Sequence, residues 1–287
     1  MSDITYLNNA TEIAWCPGCG NFAIRKTMDQ VYQELGIDKK NLVMVSGIGQ
    51  AAKSPHYLDV SFFNGLHGRA LPAATGIKLA NPELTVVVES GDGDMYGEGG
   101  NHLLHAIRRD LDVTVIVHNN MVYGLTKGQA SPTSRKGFQT PVQTTGVLLE
   151  PFNPLATLLG NGGSFVARAN AADSDQTKEI IKAALQHRGF ALVDLFQVCV
   201  SFNKTNDYKW FKEHTYYLEE DYQPDDRLHA ITRAMESDPL PLGIFFRKPN
   251  EKSFHEKLPA YSQDSRPLYT RSVKFDELNA IINEQFL

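Results

Sequence analysis

The stretch 91–120, GDGDMYGEGGNHLLHAIRRDLDVTVIVHNN, decides the fold. It follows a short apolar run at 84–91, carries apolar residues at helical spacing over 100–110, and ends in a second apolar run at 113–120. Two strands that are buried on both faces and joined by one helix predict a parallel βαβ unit with a right-handed crossover.

The same alternation extends in both directions along the chain. Helices are predicted over 21–36, 69–80 and near 174–187, and strands over 41–47 and 190–196. We therefore expect an α/β fold built on a parallel sheet with helices on both faces.

Three segments are predicted. Residues 1–40 form an N-terminal arm with a Cys-x-x-Cys pair and the first helix, and residues 41–200 form the sheet domain. From 201 to 287 the chain is polar, rich in aromatic residues and interrupted by prolines. This C-terminal extension is expected to pack on a partner subunit rather than to form a second core.

Composition excludes several functional classes. The 287 residues carry a formal net charge of −5, which argues against a nucleic-acid binder. No apolar run is long enough to span a membrane, and the first residues do not resemble a secretory signal. Three cysteines make no disulfide framework, so we expect a cytoplasmic protein whose close cysteine pair serves metal or redox chemistry.

Three predicted strands end in polar or glycine-rich sequence, at VSGIGQ, ESGDGD and HNNMVYG. Ligands of open parallel sheets bind beyond the carboxyl ends of the strands, so these ends should lie together. Asp92 and Asn120 would meet there, and such hard oxygen ligands suit Mg²⁺, which takes its remaining ligands from phosphate and water. The surrounding glycines let backbone N–H groups approach a diphosphate. The alternative is that both motifs are simply turns.

These motifs resemble those of a known family. The segment from GDG to NN resembles the thiamine diphosphate motif, and the chain from Trp15 to Lys204 is similar to the β subunits of the 2-oxoacid:ferredoxin oxidoreductases. The segments that carry the resemblance are WCPGCGNF, SGIGQAAKSPHY, LHGRALPAATGIKLANP, the stretch 91–134 and CVSFNK. The resemblance implies a thiamine diphosphate-binding fold for residues 41–200.

The resemblance also implies a set of cofactor ligands. Mg²⁺ would be held by Asp92, Asn120 and the carbonyl of Val122. His67 would reach the diphosphate or the reacting centre, unless it is a structural histidine before a helix. The other residues expected against the cofactor are Ile48, Gly49, Gln50, Ala51, Gly91, Gly93, Asp94, Tyr123, Gly124 and Leu125.

The implied activity is the oxidative decarboxylation of a 2-oxoacid to an acyl-coenzyme A, or the reverse reaction that fixes CO₂. Electrons would leave singly through an iron–sulfur cluster to ferredoxin. An α subunit would supply the other half of the thiamine site, in a heterotetramer. Lys53 and Lys127 would bind the carboxylates of the substrate, with Lys53 close to the reacting centre. Leu125 would set the length of the substrate that is accepted. With these residues, 2-oxoglutarate is favoured over pyruvate. Both lysines could instead be surface charges.

The cysteines leave several possibilities open. CPGC precedes the first strand, which disfavours a thioredoxin-like pair, and no second Cys-x-x-Cys completes a zinc site. In the family, a [4Fe–4S] cluster would use Cys16, Cys19 and Cys199, with a fourth Cys where this chain has Gln50. The last iron could then be held by Asp59, His56, Gln50 or hydroxide, the cluster could keep only three irons, or the site could be empty or hold zinc.

Two other functions compete with this one. A non-redox thiamine diphosphate-dependent decarboxylase or synthase would not need the three cysteines. A catalytically silent binding subunit would not need Asp92 and Asn120, and both residues are present.

Overall fold

The structure is a computed structural model, and it describes residues 5–249, 252–272 and 274–285. Its strands are β1 (Leu42–Ser46), β2 (Ser61–Asn64), β3 (Thr85–Gly91), β4 (Val113–Asn119), β5 (Phe165–Asn170), β6 (Phe190–Phe196), β7 (Thr215–Tyr217) and β8 (Leu240–Arg247). Within these residues they form one eight-stranded sheet in the order β2-β1-β3-β4-β6-β5-β8-β7.

The helices alternate with the strands through the first two thirds of the chain. They are α1 (Asn21–Glu34), α2 (Ala70–Ala80), α3 (Gly100–Arg109), α4 (Pro154–Gly160), α5 (Ser174–Leu185), α6 (Tyr208–Glu213), α7 (Arg227–Ala234), α8 (Pro259–Ser262) and α9 (Phe275–Gln285). Short 3₁₀ segments cover Lys39–Asn41, Ala51–Tyr57, His255–Lys257 and Leu268–Thr270, and a π-helical segment covers Gly93–Glu98. None of the helices in the described ranges is both long enough and apolar enough to cross a membrane.

The predicted α/β fold is confirmed. Strands β1 to β6 pair in parallel, and only β8 runs antiparallel to its neighbour β5. One face of the sheet packs against α2, α3, α4 and α7, and the other packs against α1 and α5. Every helix and strand predicted above is present, with ends that differ by no more than two residues.

Part of the C-terminal extension completes the sheet. Strand β8 lies beside β5, and its residues Phe245 and Phe246 are buried in the core together with Ala230 and Ala234 of α7. Proline and glycine in the sequence SDPLPLGIFFRKP hide this strand, because both residues are typical of turns. The division at residue 200 and the packing of the extension on a partner stay predictions.

The carboxyl ends of three strands meet, as the strand pattern predicts. Strands β1, β3 and β4 are neighbours, so the loops that follow Ser46, Gly91 and Asn119 lie along one edge. The segment after β3 is a π-helical turn rather than the expected loop. Such turns occur often at functional sites, and this one sets the direction of the residues that follow Asp92.

Candidate active site

One open cavity lies at this edge of the sheet. Its lining includes the predicted cofactor residues Ile48, Gly49, Gln50, Ala51, His67, Gly91, Asp92, Gly93, Asp94, Asn120, Val122, Tyr123, Gly124 and Leu125. Cys16, Cys19 and Cys199 line the same cavity. Lys53 is half-buried and Lys127 is exposed, and neither belongs to the lining.

Asp92 is a buried carboxylate held in a fixed orientation. Its Oδ2 accepts hydrogen bonds from Ser131 Oγ at 2.5 Å and Thr133 Oγ1 at 2.6 Å. Burial raises the pKa of Asp92 to about 6, although these two hydroxyls act in the opposite direction. No cationic side chain in the described ranges pairs with Asp92, so a bound divalent cation would supply the missing positive charge.

Asn120 is oriented by contacts on both sides of its amide. Its Nδ2 donates to Gln197 Oε1 at 3.0 Å, and its Oδ1 accepts from the Val122 N–H at 3.2 Å. Between them, Met121 adopts a left-handed backbone with φ 58°, and Ser134 Oγ donates to its carbonyl at 2.6 Å. A strained non-glycine residue at this place is typical of a loop shaped for a ligand.

Asp94 binds protein donors rather than pointing freely into the cavity. Its carboxylate accepts from Ser90 Oγ at 2.5 Å and from the Gly68 N–H at 2.7 Å, and His67 Nδ1 lies 2.7 Å away. A Cβ on Gly47 would come within 1.8 Å of Asp94 Oδ2, so only glycine fits there. Asp94 therefore orients His67 and leaves its Nε2 without a partner among the described residues.

Tyr123 packs directly on the π-helical turn. A Cβ on Gly93 would lie 2.2 Å from the Tyr123 ring, so glycine is needed for this contact. The Tyr123 hydroxyl lies 3.2 Å from both the Gly93 carbonyl and Glu98 Oε2. Burial, followed by the negative charge of Glu98, raises the pKa of Tyr123. The tyrosine therefore stays neutral and covers one side of the π-helical turn.

The cysteine loop is attached to the same edge of the sheet. The Gly20 N–H donates to the Val198 carbonyl at 3.2 Å, which brings the CPGC turn next to the segment that carries Cys199. Burial raises the pKa of the Cys19 thiol to about 11, and the neighbouring Cys199 and Cys16 add to the shift. A bound metal cation would stabilise the thiolate form.

Gln197 joins the two halves of the cavity. Its Oε1 accepts from Asn120, and its Nε2 donates to Cys19 Sγ at 3.4 Å. Ser201 Oγ donates to Cys16 Sγ at 3.0 Å in a similar way. The proposed magnesium ligand and the cysteines are thus separated by one side chain.

Gln50, where the resemblance implies a fourth cysteine, lines the same cavity as the three cysteines. Trp15 Nε1 donates to the Gln50 carbonyl at 2.8 Å, while Gln50 Oε1 is buried without a hydrogen-bond partner. Asp59 is bound to Lys39 at 2.6 Å and His56 packs edge-on against Phe62, and neither lines the cavity.

Within the described residues, no group of three or more His, Cys, Asp or Glu side chains has the geometry for a metal ion. The donors predicted for Mg²⁺ are one carboxylate, one amide and one backbone carbonyl, so they would not form such a group. Thiolates that hold a cluster bind separate irons and need not converge on one point. Both metal centres therefore stay predictions, with one carboxylate, one amide and one carbonyl expected for Mg²⁺ and three thiolates expected for the cluster.

Sequence reasoning missed the residues that support the ligands. Ser131 and Thr133 hold Asp92, and Gln197 holds Asn120. The only signal for the first two was the polar run ASPTS within a segment otherwise assigned by resemblance. Gln197 carries no local signal, because its role depends on the pairing of β6 with β4.

Comparison with known proteins assigns the family. Residues 43–195 match the family model described as the thiamine pyrophosphate enzyme C-terminal TPP binding domain, and residues 199–263 match the model for the C-terminal part of the pyruvate ferredoxin oxidoreductase β chain. The chain is 42% identical over 269 residues to the 2-oxoacid:ferredoxin oxidoreductase 1 subunit β of Aeropyrum pernix, covering 88% of this chain and 85% of that one. The chain belongs to the β subunits of the 2-oxoacid:ferredoxin oxidoreductases.

Two further members of this oxidoreductase family are similar to the chain. One is the 2-oxoglutarate oxidoreductase subunit KorB of Mycobacterium tuberculosis, 47% identical over 192 residues, which are 67% of this chain and 52% of that one. The other is the solved 2-oxoglutarate:ferredoxin oxidoreductase of Magnetococcus marinus with 2-oxoglutarate, coenzyme A and succinyl-CoA bound. It superposes with a TM-score of 0.91 at 32% identity, over 98% of this chain and 97% of that one. The predicted family and enzyme class are confirmed.

Proposed function

We propose that this β subunit serves the coenzyme A-dependent oxidative decarboxylation of a 2-oxoacid, with 2-oxoglutarate favoured over pyruvate and with electrons passed to ferredoxin. The observation that carries the proposal is the single cavity lined by both Asp92 and Asn120 and by the three cysteines. Bound thiamine diphosphate would supply the electron sink for decarboxylation, and the protein supplies binding, orientation and a path for electrons.

The chain's own residues have separate tasks at the diphosphate. Asp92, Asn120 and the Val122 carbonyl would hold Mg²⁺, with Ser131 and Thr133 keeping the carboxylate in place. His67, oriented by Asp94, would present Nε2 to the diphosphate or to the substrate, where it can hold a proton. Tyr123 and the walls of the cavity would exclude water from the reacting centre.

Cys16, Cys19 and Cys199 would hold the iron–sulfur cluster, with Gln50 Oε1 as the fourth ligand. The support for Gln50 is its buried, unpartnered oxygen and its place in the same cavity lining. Asp59 and His56 lose support as alternatives because both lie outside the lining. Hydrogen bonds from Ser201 and Gln197 to the sulfurs would tune the reduction potential.

The substrate preference rests on residues near the cavity and on the relatives. Leu125 lines the cavity, whereas Lys53 lies on the 3₁₀ segment that follows Gln50. Lys53 and Lys127 make no side-chain hydrogen bond or ion pair within the described ranges, so both remain available to a distal carboxylate. Relatives named for 2-oxoglutarate support the same preference.

The proposed α-subunit partner would cover the mouth of this cavity. Large apolar side chains are exposed on or near the lining residues: Phe22, Phe62, Phe63, Leu66, Leu125 and Phe202. Apolar surface of this extent is typical of a protein interface. Since the site takes residues only from one side, a second chain would complete it.

Replacing Leu66 with serine should weaken assembly with the partner. Leu66 is 74% exposed, and its loss would remove apolar area that the partner buries, so we expect about 10-fold weaker association. Leu148→Ser is the matched control, since Leu148 is 80% exposed, lies outside the C-terminal extension and does not line the cavity. Co-purification and analytical ultracentrifugation would measure the difference. Equal loss in both variants would count against this surface.

The function is tested on the complex purified with its partner without oxygen. We expect coenzyme A-dependent reduction of ferredoxin with 2-oxoglutarate, and slower reduction with pyruvate. Bound thiamine diphosphate, iron, acid-labile sulfide and zinc would be measured on the same sample, with about four irons expected per β chain. Bound thiamine diphosphate with almost no iron would instead favour a non-redox thiamine enzyme.

A further inference from the structure

A second open cavity lies beside the carboxyl ends of β4 and β6. Its lining combines buried polar side chains with apolar ones. The residues that matter most are Arg135, Phe152, Arg168, Phe196 and Leu240. No function discussed above uses this cavity.

Arg168 is a buried cation with unused hydrogen-bond donors. It is 4% exposed, and its Nε donates to Asp194 Oδ2 at 2.9 Å from the directly opposite position on β6. The Phe196 ring lies 4.9 Å from the guanidinium carbon and fixes the plane of the group. Nη1 is buried without a partner, and no hydrogen bond from Nη2 occurs in the described part of the chain. An unpaired buried donor is unfavourable unless a ligand or water satisfies it.

The remaining charges of the cavity lie nearer its mouth. Arg135 is half-buried, stacks over the Trp210 ring at 5.0 Å, and has no carboxylate partner among the described residues. Lys136 is paired with Glu150 at 2.5 Å. Glu236 is bound by Arg233 at 3.0 Å and by the Tyr216 hydroxyl. The acidic side chains are therefore already neutralised, and the uncommitted donors belong to Arg168 and Arg135.

We propose that this cavity binds a small organic carboxylate. Arg168 lines the cavity and its Nη1 lacks a partner, and a guanidinium of this kind can pair with two carboxylate oxygens through its planar fork. Arg135 can add a further donor. Phe152, Phe196 and Leu240 form apolar walls that suit the carbon body of such a ligand and disfavour a bare inorganic ion.

A buried chain of hydrogen bonds connects this cavity to Asp92. Asp194 accepts from Arg168 and, through Oδ1, from Asn119 Nδ2 at 2.9 Å. Asn119 Oδ1 lies 2.9 Å from Thr133 Oγ1, which lies 2.6 Å from Asp92 Oδ2. A carboxylate on Arg168 would therefore contact one end of a polar chain whose other end is the proposed magnesium ligand. The binding proposal itself does not depend on thiamine chemistry.

Isothermal titration of the purified complex with isovalerate tests the proposal, because isovalerate carries one carboxylate on an apolar body. We expect saturable binding of one isovalerate per β chain, and binding about 10-fold weaker or more in Arg168→Lys, which loses the planar fork. Arg135→Gln should weaken binding in the same direction, and it keeps the test valid if Arg168→Lys unfolds. Arg108→Gln is the control and should bind as the parent does, since Arg108 is exposed on α3 and lies outside the cavity lining.

Three results would overturn the proposal. One is a titration with isovalerate that shows no saturable binding, which would mean that water alone provides partners for the free Arg168 donors. Another is binding that survives in both arginine variants, which would place the isovalerate elsewhere. The third is inorganic phosphate binding as tightly as isovalerate, which would contradict a carboxylate with an apolar body.

Discussion

Replacing Asp92 with asparagine is expected to lower the Mg²⁺-dependent affinity for thiamine diphosphate by about 100-fold or more, because a metal's charge stabilisation is worth several kcal/mol. Asparagine keeps the shape of Asp92 but removes the anionic ligand. Activity of the complex at limiting thiamine diphosphate should fall in proportion. Equilibrium binding of thiamine diphosphate at several Mg²⁺ concentrations measures the effect.

The same substitution should leave the fold intact. Burial raises the pKa of Asp92, so the charged carboxylate is unfavourable in the metal-free protein, and a neutral amide removes that penalty. Asparagine can still accept from Ser131 and Thr133. We therefore expect the metal-free variant to unfold at a temperature no lower than the parent.

A matched control separates the ligand role from the loss of a buried charge. Asp29→Asn removes a carboxylate that is also buried but lies outside the cavity, where it binds the Tyr6 N–H. The Asp29→Asn variant should bind thiamine diphosphate with the same affinity as the parent. Unchanged affinity in Asp92→Asn would exclude Asp92 as a metal ligand.

Replacing Cys199 with alanine is expected to remove the cluster and with it nearly all electron transfer to ferredoxin. The change would leave only two thiolates, both on one short loop, and iron–sulfur clusters are normally held by four. Iron in the anaerobically purified complex should fall from about four per β chain to nearly none, and the EPR signal of the reduced sample should disappear. Ser201→Ala, which removes only a hydrogen bond to Cys16, should keep the iron.

Replacing Gln50 with cysteine is expected to lower the midpoint potential of the cluster without changing its iron content. The new thiolate would replace a neutral oxygen ligand and add one negative charge, which stabilises the oxidised cluster and lowers its midpoint potential. Iron content should stay the same while the potential shifts to lower values in an EPR-monitored titration. An unchanged midpoint potential in Gln50→Cys would show that residue 50 does not bind the cluster. Retained iron in Cys199→Ala would contradict the assignment of Cys16, Cys19 and Cys199 as cluster ligands.

The periodicity of the sequence predicts the central sheet well, because buried parallel strands and their crossover helices carry a strong local pattern. Residues such as Asp92 and Asn120 could be placed together because the ends of neighbouring strands share an edge. Strand β8 could not be predicted in the same way, since its prolines and glycine obscure the pattern and its pairing with β5 depends on contacts far apart in the chain.

The supporting residues of the site were beyond local analysis for a similar reason. Thr133 holds a carboxylate 41 residues away, and Gln197 holds an amide 77 residues away. In the sequence, Arg168 looks like an ordinary charged surface residue. Only the structure shows that it is buried and paired with Asp194. Such roles arise from the packing of distant segments.

The exposed edge strand β2 makes this chain prone to aggregation when it is produced alone. It lies at the outer edge of the sheet, all four of its residues are exposed, and Phe62 and Phe63 are 45% and 50% exposed. An open apolar edge is a template on which other copies can add strands and aggregate. An excess of this chain over the proposed partner would leave this edge open to misassembly, so balanced production of both chains would be part of its stability.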